Sequence, residues 1–479
     1  MLFHTLAFFY FFIVVYMVSF LLNAVSRRFQ TSFLAFRINK IFLLGASYYF
    51  YAYWDVRFLT LIMVSTLVDF WVGSRIFEAE NKKRKKLYLI LSLVVNLGIL
   101  GFFKYCNFFI DSANLALENL NFTMAHLDLI LPVGISFYTF QSMSYSLDIY
   151  FKKLEPTRNP VDFAFYVAFF PQLVAGPIVR AGHFLPQLLF PTKFSFENLF
   201  SGLQIFLYGL FLKVVIADNI AIVIYPIFKN PETYDSLTVW VAVIGYSVQI
   251  FCDFCGYSEM AIGMARSLGY ILPTNFRMPY LATDLFDFWR RWHISLSSWL
   301  RDYLYIPLGG NQKGLMRTCT NAFVTMLLGG LWHGANWKFV LWGMFHGLGL
   351  MINRILIVFL GERIASNPVL TLCKWASTYL FVCLGWVLFL AENLGVAGQI
   401  YRKLFFLDSS ILNWAFLSLE NLFFFPCMIV IHLWFYITKQ DSLFFKPGTF
   451  ASYLYIALMI LLVFTFAPID HKGFIYFQF

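Results

Sequence analysis

Residues that could carry out chemistry concentrate in three segments of an otherwise apolar chain. They are Phe251–Met260 (FCDFCGYSEM), Asp287–Tyr303 (DFWRRWHISLSSWLRDY) and Leu327–Trp337 (LLGGLWHGANW). Ionisable residues at membrane depth are costly and mark functional sites by default. Long apolar stretches flank these three segments. The candidate catalytic and binding residues therefore lie within the three segments.

His333 is the strongest candidate from its setting alone. It follows the uncharged run Phe323–Leu331, and small residues lie on both sides of it. Asn336 follows at i+3, on the same face of a continuous helix, where it could fix the tautomer of the imidazole. A neutral, desolvated imidazole suits a general base that takes a proton from a hydroxyl group. A structural histidine that donates to a neighbouring helix is the alternative.

The segment Asp287–Tyr303 is interpreted as one helix. That register places three tryptophans and a histidine near one face: Trp289, Trp292, His293 and Trp299. The segment is too charged to span lipid and too aromatic for a free loop, so we expect a buried or interfacial helix beside a water-filled cavity. Arg290 and Arg291 could bind phosphate or carboxylate groups of a substrate, or extend to lipid headgroups.

Other site types find little support. His346, on the following apolar stretch, is a weaker candidate than His333 or His293. The seven scattered cysteines predict neither a disulfide framework nor a metal site, although Cys252 and Cys255 form a Cys-x-x-Cys. Hydrolase, zinc-protease and Walker motifs are missing from the sequence. A transporter or flippase is the alternative class, but it gives no reason for two histidines in settings rich in tryptophan and glycine.

The composition places these segments in a membrane. Of 479 residues, 60% are hydrophobic and only 13% charged, whereas soluble proteins average about 25% charged residues. This excludes a soluble globular protein, a disordered chain and a secreted disulfide scaffold. Membrane topology explains the net charge of +10 better than nucleic-acid binding does, because basic residues favour cytoplasmic loops.

The apolar stretches predict an all-α polytopic protein with about eleven or twelve crossings, plus re-entrant or interfacial helices. Their predicted bounds are Phe3–Leu22, Ile41–Tyr53, Phe58–Phe77, Leu87–Ile110, Leu129–Phe151, Leu199–Phe228, Ser236–Ala265, Cys319–Leu331, Phe339–Leu360, Val369–Leu390, Leu422–Ile437 and Tyr453–Ala467.

Three basic clusters fix the predicted orientation: Arg27 to Lys40, Lys82–Lys86, and Lys152 to Arg158. All three lie on the cytoplasmic side if Met1 is outside. Lys82–Lys86 is interpreted as a solvated loop, with contact to anionic lipid as the alternative. We found no internal repeat and no linker to a soluble domain, so residues 1–479 are predicted to form one membrane domain.

Four motifs of the chain resemble the membrane-bound O-acyltransferase (MBOAT) family. They are Phe170–Arg180 (FPQLVAGPIVR), Asp253–Gly263 (DFCGYSEMAIG), Phe288–Gly310 and Gly329–Asn336. They lie in a core of about residues 100–350. The resemblance is closest to the branch that O-acetylates bacterial polysaccharides such as alginate and peptidoglycan. Cys255 and Glu259 depart from the family's usual Ser and Asp. Pro307–Asn311 resembles the acetylating branch more than the branch that transfers D-alanine to teichoic acid.

This resemblance implies helices around a funnel, with the reacting groups at its narrow point. It implies His333 as the essential catalytic histidine, which acts as general base or shuttles the acetyl group, and His293 as the second, catalytic signature histidine, which orients the donor or acceptor. It also implies acetyl transfer in the bacterial cytoplasmic membrane from a cytoplasmic thioester donor, acetyl-CoA, without a bound cofactor. It further implies that the acceptor is a polysaccharide outside the membrane or a periplasmic acetyltransferase partner. The residues expected to bind substrate or donor are Trp289, Arg290, Arg291, Trp332, Asn336, Asp253 and Tyr257.

Overall fold

The computed structural model describes residues 1–28, 32–120, 123–174, 176–191, 194–360, 367–406, 424–438 and 445–468. All regular elements of these residues are helices. The main ones are α1 (Leu6–Arg28), α2 (Ser32–Ala52), α3 (Val56–Glu78), α4 (Lys82–Ala116), α5 (Ile135–Tyr150), α6 (Pro160–Ala168), α7 (Phe196–Lys229), α8 (Ser236–Ser267), α9 (Leu285–Arg291), α10 (Ile294–Leu300), α11 (Gly314–His333), α12 (Trp337–Leu360), α13 (Pro368–Leu390), α14 (Leu394–Phe405), α15 (Phe424–Thr438) and α16 (Phe450–Phe466).

The all-α polytopic prediction is confirmed. Seven of the described helices are long and apolar enough to cross a membrane, namely α1, α3, α4, α7, α8, α12 and α13. This is fewer than the eleven or twelve crossings expected, because the remaining apolar stretches form helices that are shorter or more polar. The predicted start at Leu422 lies outside the described residues.

Side-chain caps explain where several helices begin. Asp55 and Asn81 precede α3 and α4, and each accepts a hydrogen bond from the backbone N–H two residues later, at 2.9 and 2.8 Å. Asn159 caps α6 and Asn367 caps α13 in the same way. Such caps bind amide protons that a helix start leaves without partners.

Two compact units make up the structure. The first contains the described residues of Met1–Phe206, Ser258–Pro273 and Phe445–Ser452. The second contains those of Leu207–Tyr257, Thr274–Phe444 and Tyr453–Phe479.

The first unit buries polar groups among apolar helices and provides partners for them. Asp69 on α3 is completely buried and accepts hydrogen bonds from four side chains of α4 and α5: Ser92, Asn96, Ser142 and Ser146. Lys40 is also buried, and its Nζ lies 2.5 Å from Asp162 Oδ1 and 3.1 Å from the Leu188 carbonyl oxygen. Lys40, which the sequence analysis counted in the first basic cluster, is therefore an internal ion-pair partner.

Candidate active site

In the second unit, helices α11 and α12 approach each other closely through glycines. A Cβ atom on Gly330 would lie 2.3 Å from the Phe339 carbonyl oxygen, and one on Gly343 would lie 2.6 Å from the Met326 carbonyl oxygen. Only glycine permits backbones to approach this closely. The crossing holds His333, the last residue of α11, against α12.

Aromatic rings surround the His333 side chain. His333 is 5% exposed, and its ring centroid lies 4.9 Å from that of Trp342, 5.1 Å from Trp332 and 5.3 Å from Phe389. These contacts exclude water from most of the imidazole. The C-terminal end of a helix carries partial negative charge, which favours a positive charge nearby. The setting is therefore suited to an imidazole that takes up a proton during a reaction.

The predicted role of Asn336 as a helical partner of His333 is wrong. Helix α11 ends at His333, and Gly334 adopts an extended conformation. The i+3 relation on a helix face is therefore lost. Asn336 is exposed, and its Oδ1 accepts a hydrogen bond from the Lys338 N–H at 3.0 Å, so Asn336 caps the start of α12.

The prediction of one continuous helix over Asp287–Tyr303 is also wrong. Helix α9 ends at Arg291 and α10 begins at Ile294. His293 separates them, with φ 43° and ψ 55°, in the left-handed region that non-glycine residues rarely adopt. Residues held in such conformations occur often at functional sites. The break turns the His293 side chain into the interior, where it is completely buried.

Asn275 holds His293 in place, and the sequence analysis missed it. Its Oδ1 lies 3.1 Å from His293 Nδ1 and also accepts hydrogen bonds from the Ser295 N–H and hydroxyl at 3.2 and 2.9 Å. Because a backbone N–H identifies this atom as an oxygen, Nδ1 must carry the proton and Nε2 is the basic nitrogen. Burial lowers the pKa of His293 to about 3, so its imidazole is neutral at physiological pH.

The two candidate histidines share one neighbour. The Trp332 ring centroid lies 6.1 Å from that of His293 and 5.1 Å from that of His333. Trp289 contacts Trp342, with 5.7 Å between ring centroids, and Trp342 in turn contacts His333. The structure therefore brings Trp289, Trp332, His293 and His333 into one aromatic cluster of the second unit.

The two candidate arginines differ in their surroundings. Arg290 is exposed at the end of α9. Arg291 is partly buried, and its Nε donates a hydrogen bond to Asp287 Oδ2 at 2.9 Å. Arg290 is thus the more accessible of the two guanidinium groups.

Asp253 and Tyr257 both lie next to Lys213, a residue that the sequence analysis also missed. Lys213 Nζ is 2.7 Å from both Asp253 Oδ1 and Asp218 Oδ1, and all three side chains are 1% exposed. The Tyr257 ring centroid lies 5.9 Å from Lys213 Nζ. A lysine inside the apolar stretch Leu199–Phe228 is the signal that could have identified this ion-pair cluster, since charges at membrane depth need partners.

Comparison with known proteins identifies the family. The model of the membrane-bound O-acyltransferase family matches residues 84–390, well over half of the chain. This chain belongs to that family. It is therefore a multi-pass membrane protein and an acyltransferase, and the transporter alternative is set aside.

Individual members of the MBOAT family are similar over most of their length. A protein of Pseudomonas putida named probable alginate O-acetylase AlgI is 44% identical over 375 residues, which cover 77% of this chain and 75% of the relative. A peptidoglycan O-acetyltransferase of Helicobacter pylori is 38% identical, with 76% and 73% covered. A teichoic acid D-alanyltransferase of Bacillus subtilis is 27% identical, with 55% and 69% covered.

Proposed function

We propose that this protein transfers an acetyl group from acetyl-CoA, on the cytoplasmic side, towards a hydroxyl group of a polysaccharide outside the bacterial inner membrane. The observation that carries this proposal is the similarity to relatives named as O-acetylating enzymes. They are 38–44% identical over about three quarters of the chain. The D-alanyltransferase of Bacillus subtilis is 27% identical over about half of it.

His333 is proposed as the general base. Its imidazole takes the proton from the attacking hydroxyl while that oxygen bonds to the thioester carbonyl carbon. The carbon–sulfur bond then breaks, and the proton passes from His333 to the leaving thiolate. An ester and a free thiol result, so atoms and charge balance. The dry aromatic surroundings of His333 and the C-terminal end of α11 support this role.

His293 is proposed as a positioning residue. The hydrogen bond to Asn275 fixes its tautomer, so Nε2 can accept a hydrogen bond from a substrate hydroxyl group. Trp332, between the two imidazoles, would form a wall of the same site. Arg290, with its exposed guanidinium, would contact the phosphates of the donor, with Arg291 beside it. Substrate binding by Asp253, Tyr257 and Asn336 stays a prediction.

The proposal also specifies the orientation of the chain in the membrane. With Met1 outside, the cluster Lys82–Lys86 at the start of α4, which is exposed except for the half-buried Lys85, lies in the cytoplasm. The acceptor is either the polysaccharide itself or an acetyltransferase partner in the periplasm. Impermeant thiol labelling of single cysteines placed near Met1 and near Lys83, in a background without the native cysteines, tests the orientation. Labelling of the Lys83 site in intact cells would contradict it.

Acetyl transfer is tested with the purified full-length protein in lipid nanodiscs. The assay measures thiol release from acetyl-CoA and ester formation on alginate or peptidoglycan oligosaccharides. His333→Ala should lower the transfer rate by about 10²–10⁴-fold, the range typical of a lost general base. His126→Ala is the matched control, because His126 is an exposed histidine paired with Asp111.

The outcomes separate the parts of the proposal. Transfer by the wild type from acetyl-CoA, lost in His333→Ala and kept in His126→Ala, supports it. Near-normal transfer by a correctly folded His333→Ala protein would overturn the role of His333. A wild type that accepts a D-alanyl thioester but no acetyl thioester would overturn the acetyl donor.

A further inference from the structure

His346 on α12 is completely buried, yet its polar atoms lack partners among the residues that the structure describes. Its side chain is 0% exposed, and within the described part of the chain neither Nδ1 nor Nε2 has a hydrogen-bond partner. A neutral imidazole offers one donor and one acceptor. Leaving such groups unsatisfied in an apolar interior costs free energy, so buried polar groups without partners require an explanation.

Two tryptophans beside His346 also have a buried polar atom without a partner among the described residues. The ring centroids of Trp342 and Trp289 lie 4.6 and 5.2 Å from that of His346. The Nε1 atoms of both indoles are buried and have no acceptor among the residues that the structure describes. The three side chains together therefore present three donors and one acceptor within one cluster.

Two other tryptophans of the second unit, Trp375 and Trp240, are satisfied. The Trp375 Nε1 donates to the Tyr280 carbonyl oxygen at 2.8 Å, and the Trp240 Nε1 donates to the Leu404 carbonyl oxygen at 3.2 Å. The fold can thus provide carbonyl acceptors for buried indoles. Among the described residues, the Trp386 Nε1 is also buried without an acceptor, and its ring centroid lies 6.4 Å from that of His346, so the unsatisfied donors around His346 extend to this neighbouring indole.

The excess of donors specifies the chemistry of the missing partner. A group that accepts several hydrogen bonds through oxygen fits this cluster, and the thioester substrate and the ester product of an acyl transfer both contain a carbonyl oxygen. Trp342 contacts both His346 and His333. An oxygen bound by the Trp342 indole would therefore be held by a side chain that also contacts the imidazole proposed as the general base.

We propose that His346, Trp342 and Trp289 form a subsite that binds the carbonyl oxygen of the transferred acyl group. This inference rests on the proposed function, because it takes the acyl thioester as the ligand. The subsite orients the carbonyl towards the attacking hydroxyl and stabilises the negative charge that develops on its oxygen.

The first experiment measures kinetics with acetyl-CoA in nanodiscs. Trp342→Phe removes the indole N–H and keeps an aromatic ring, while His346→Phe removes both ring nitrogens. Each should lower kcat on the order of 100-fold, as the loss of an oxyanion donor does, with little change in KM for acetyl-CoA. His346→Gln restores a donor and an acceptor and should recover part of kcat. Trp375→Phe is the matched control, because the indole N–H of Trp375 already donates to a protein carbonyl oxygen. This variant should retain normal kcat.

The second experiment reads the carbonyl directly and needs no turnover. The probe is a ketone analogue of acetyl-CoA, in which a methylene group between sulfur and the carbonyl prevents acyl transfer, with carbon-13 at the carbonyl. Hydrogen bonding should lower the infrared carbonyl frequency of the bound probe in the wild type. The frequency should rise in Trp342→Phe and stay low in Trp375→Phe.

The results distinguish the two proposals. If the wild type transfers no acetyl group from acetyl-CoA, the proposed function fails, and the ligand of the subsite fails with it. If the wild type transfers acetyl and the folded Trp342→Phe and His346→Phe proteins keep normal kcat and an unchanged carbonyl frequency, the subsite alone is contradicted. Should His346→Phe not fold, Trp289→Phe takes its place under the same criteria.

Discussion

Asp69 in the first unit and His346 in the second are both completely buried in apolar helices, but their polar atoms differ in what they bind. Asp69 accepts hydrogen bonds from four side chains of two neighbouring helices. The ring nitrogens of His346 have no partner among the described residues. A satisfied network holds helices together at little net cost, whereas an unsatisfied group reduces stability until a ligand binds it.

The two regions therefore have different roles: the Asp69 network supports the fold, and the His346 cluster supports the reaction. The Asp69 network is complete without substrate, so its loss should affect stability and leave catalysis per folded molecule unchanged. The cluster at His346 is incomplete without substrate, so its loss should affect catalysis more than stability. Substitutions in the two regions can test this contrast.

Asp69→Ala should have the largest effect on stability. It removes the acceptor of four buried donors at once, and we expect the free energy of unfolding to fall by about 3–5 kcal/mol, as for other broken buried networks. Thermal unfolding of the detergent-purified protein measures this. Asp111→Ala, at an exposed aspartate, is the control. A stable Asp69→Ala protein with a reduced specific acetyl-transfer rate would reverse the contrast.

Gly385→Ala should displace His346 directly. A Cβ atom on Gly385 would lie 2.6 Å from His346 Nε2, so the imidazole ring must move, at a cost of about 1–3 kcal/mol as in other overpacked cores. We expect a clear loss of acetyl transfer in the assay described above. Gly398→Ala is the matched control, since no atom outside its own helix backbone lies within 4 Å of the Cβ that it adds. Equal rates for the two variants would contradict the importance of the His346 position.

The sequence predicted the long helices well, because apolar stretches of about 20 residues have few alternatives in a membrane. Ser236–Ala265 is observed as Ser236–Ser267, and Val369–Leu390 as Pro368–Leu390. The sequence predicted which residues belong to the candidate site, but it did not predict their conformations and contacts. His293, in a left-handed conformation, contacts Asn275, which lies 18 residues earlier, and helical periodicity contains no information about such a contact.

The polar surroundings of His346 were also hidden from the sequence. Its hydrogen-bonding state depends on α9, α12 and α13, which come together only in the folded chain. The sequence analysis placed His346 on an apolar stretch as a weaker candidate than His333 or His293, and a count of its neighbouring donors and acceptors requires coordinates. Satisfied and unsatisfied buried groups look alike in a sequence.

Asn275→Ala tests whether a satisfied group inside the candidate site behaves like Asp69 or like His346. It removes the acceptor of the His293 Nδ1–H and of the Ser295 donors. We expect acetyl transfer to fall about tenfold, equivalent to about 1.4 kcal/mol, because the tautomer of His293 is no longer fixed. Asn275→Asp keeps an acceptor oxygen and should recover part of the rate. A loss of stability with a normal rate would assign Asn275 to the scaffold instead.

The smallest expected effect is a pH dependence of stability that originates at His293. Burial lowers its pKa in the folded protein to about 3, while the pKa of an unfolded histidine is about 6.5. Below pH 6.5 the unfolded chain therefore binds a proton that the folded protein does not, and stability falls as the pH falls. From pH 6.5 to pH 5.5 this contribution should decrease the free energy of unfolding by about 1 kcal/mol.

His293→Gln should remove that part of the acid sensitivity, whereas His126→Gln, at an exposed histidine, should retain it. If unfolding of the wild type and His293→Gln shows the same pH dependence between 6.5 and 5.5, His293 is not held neutral by burial.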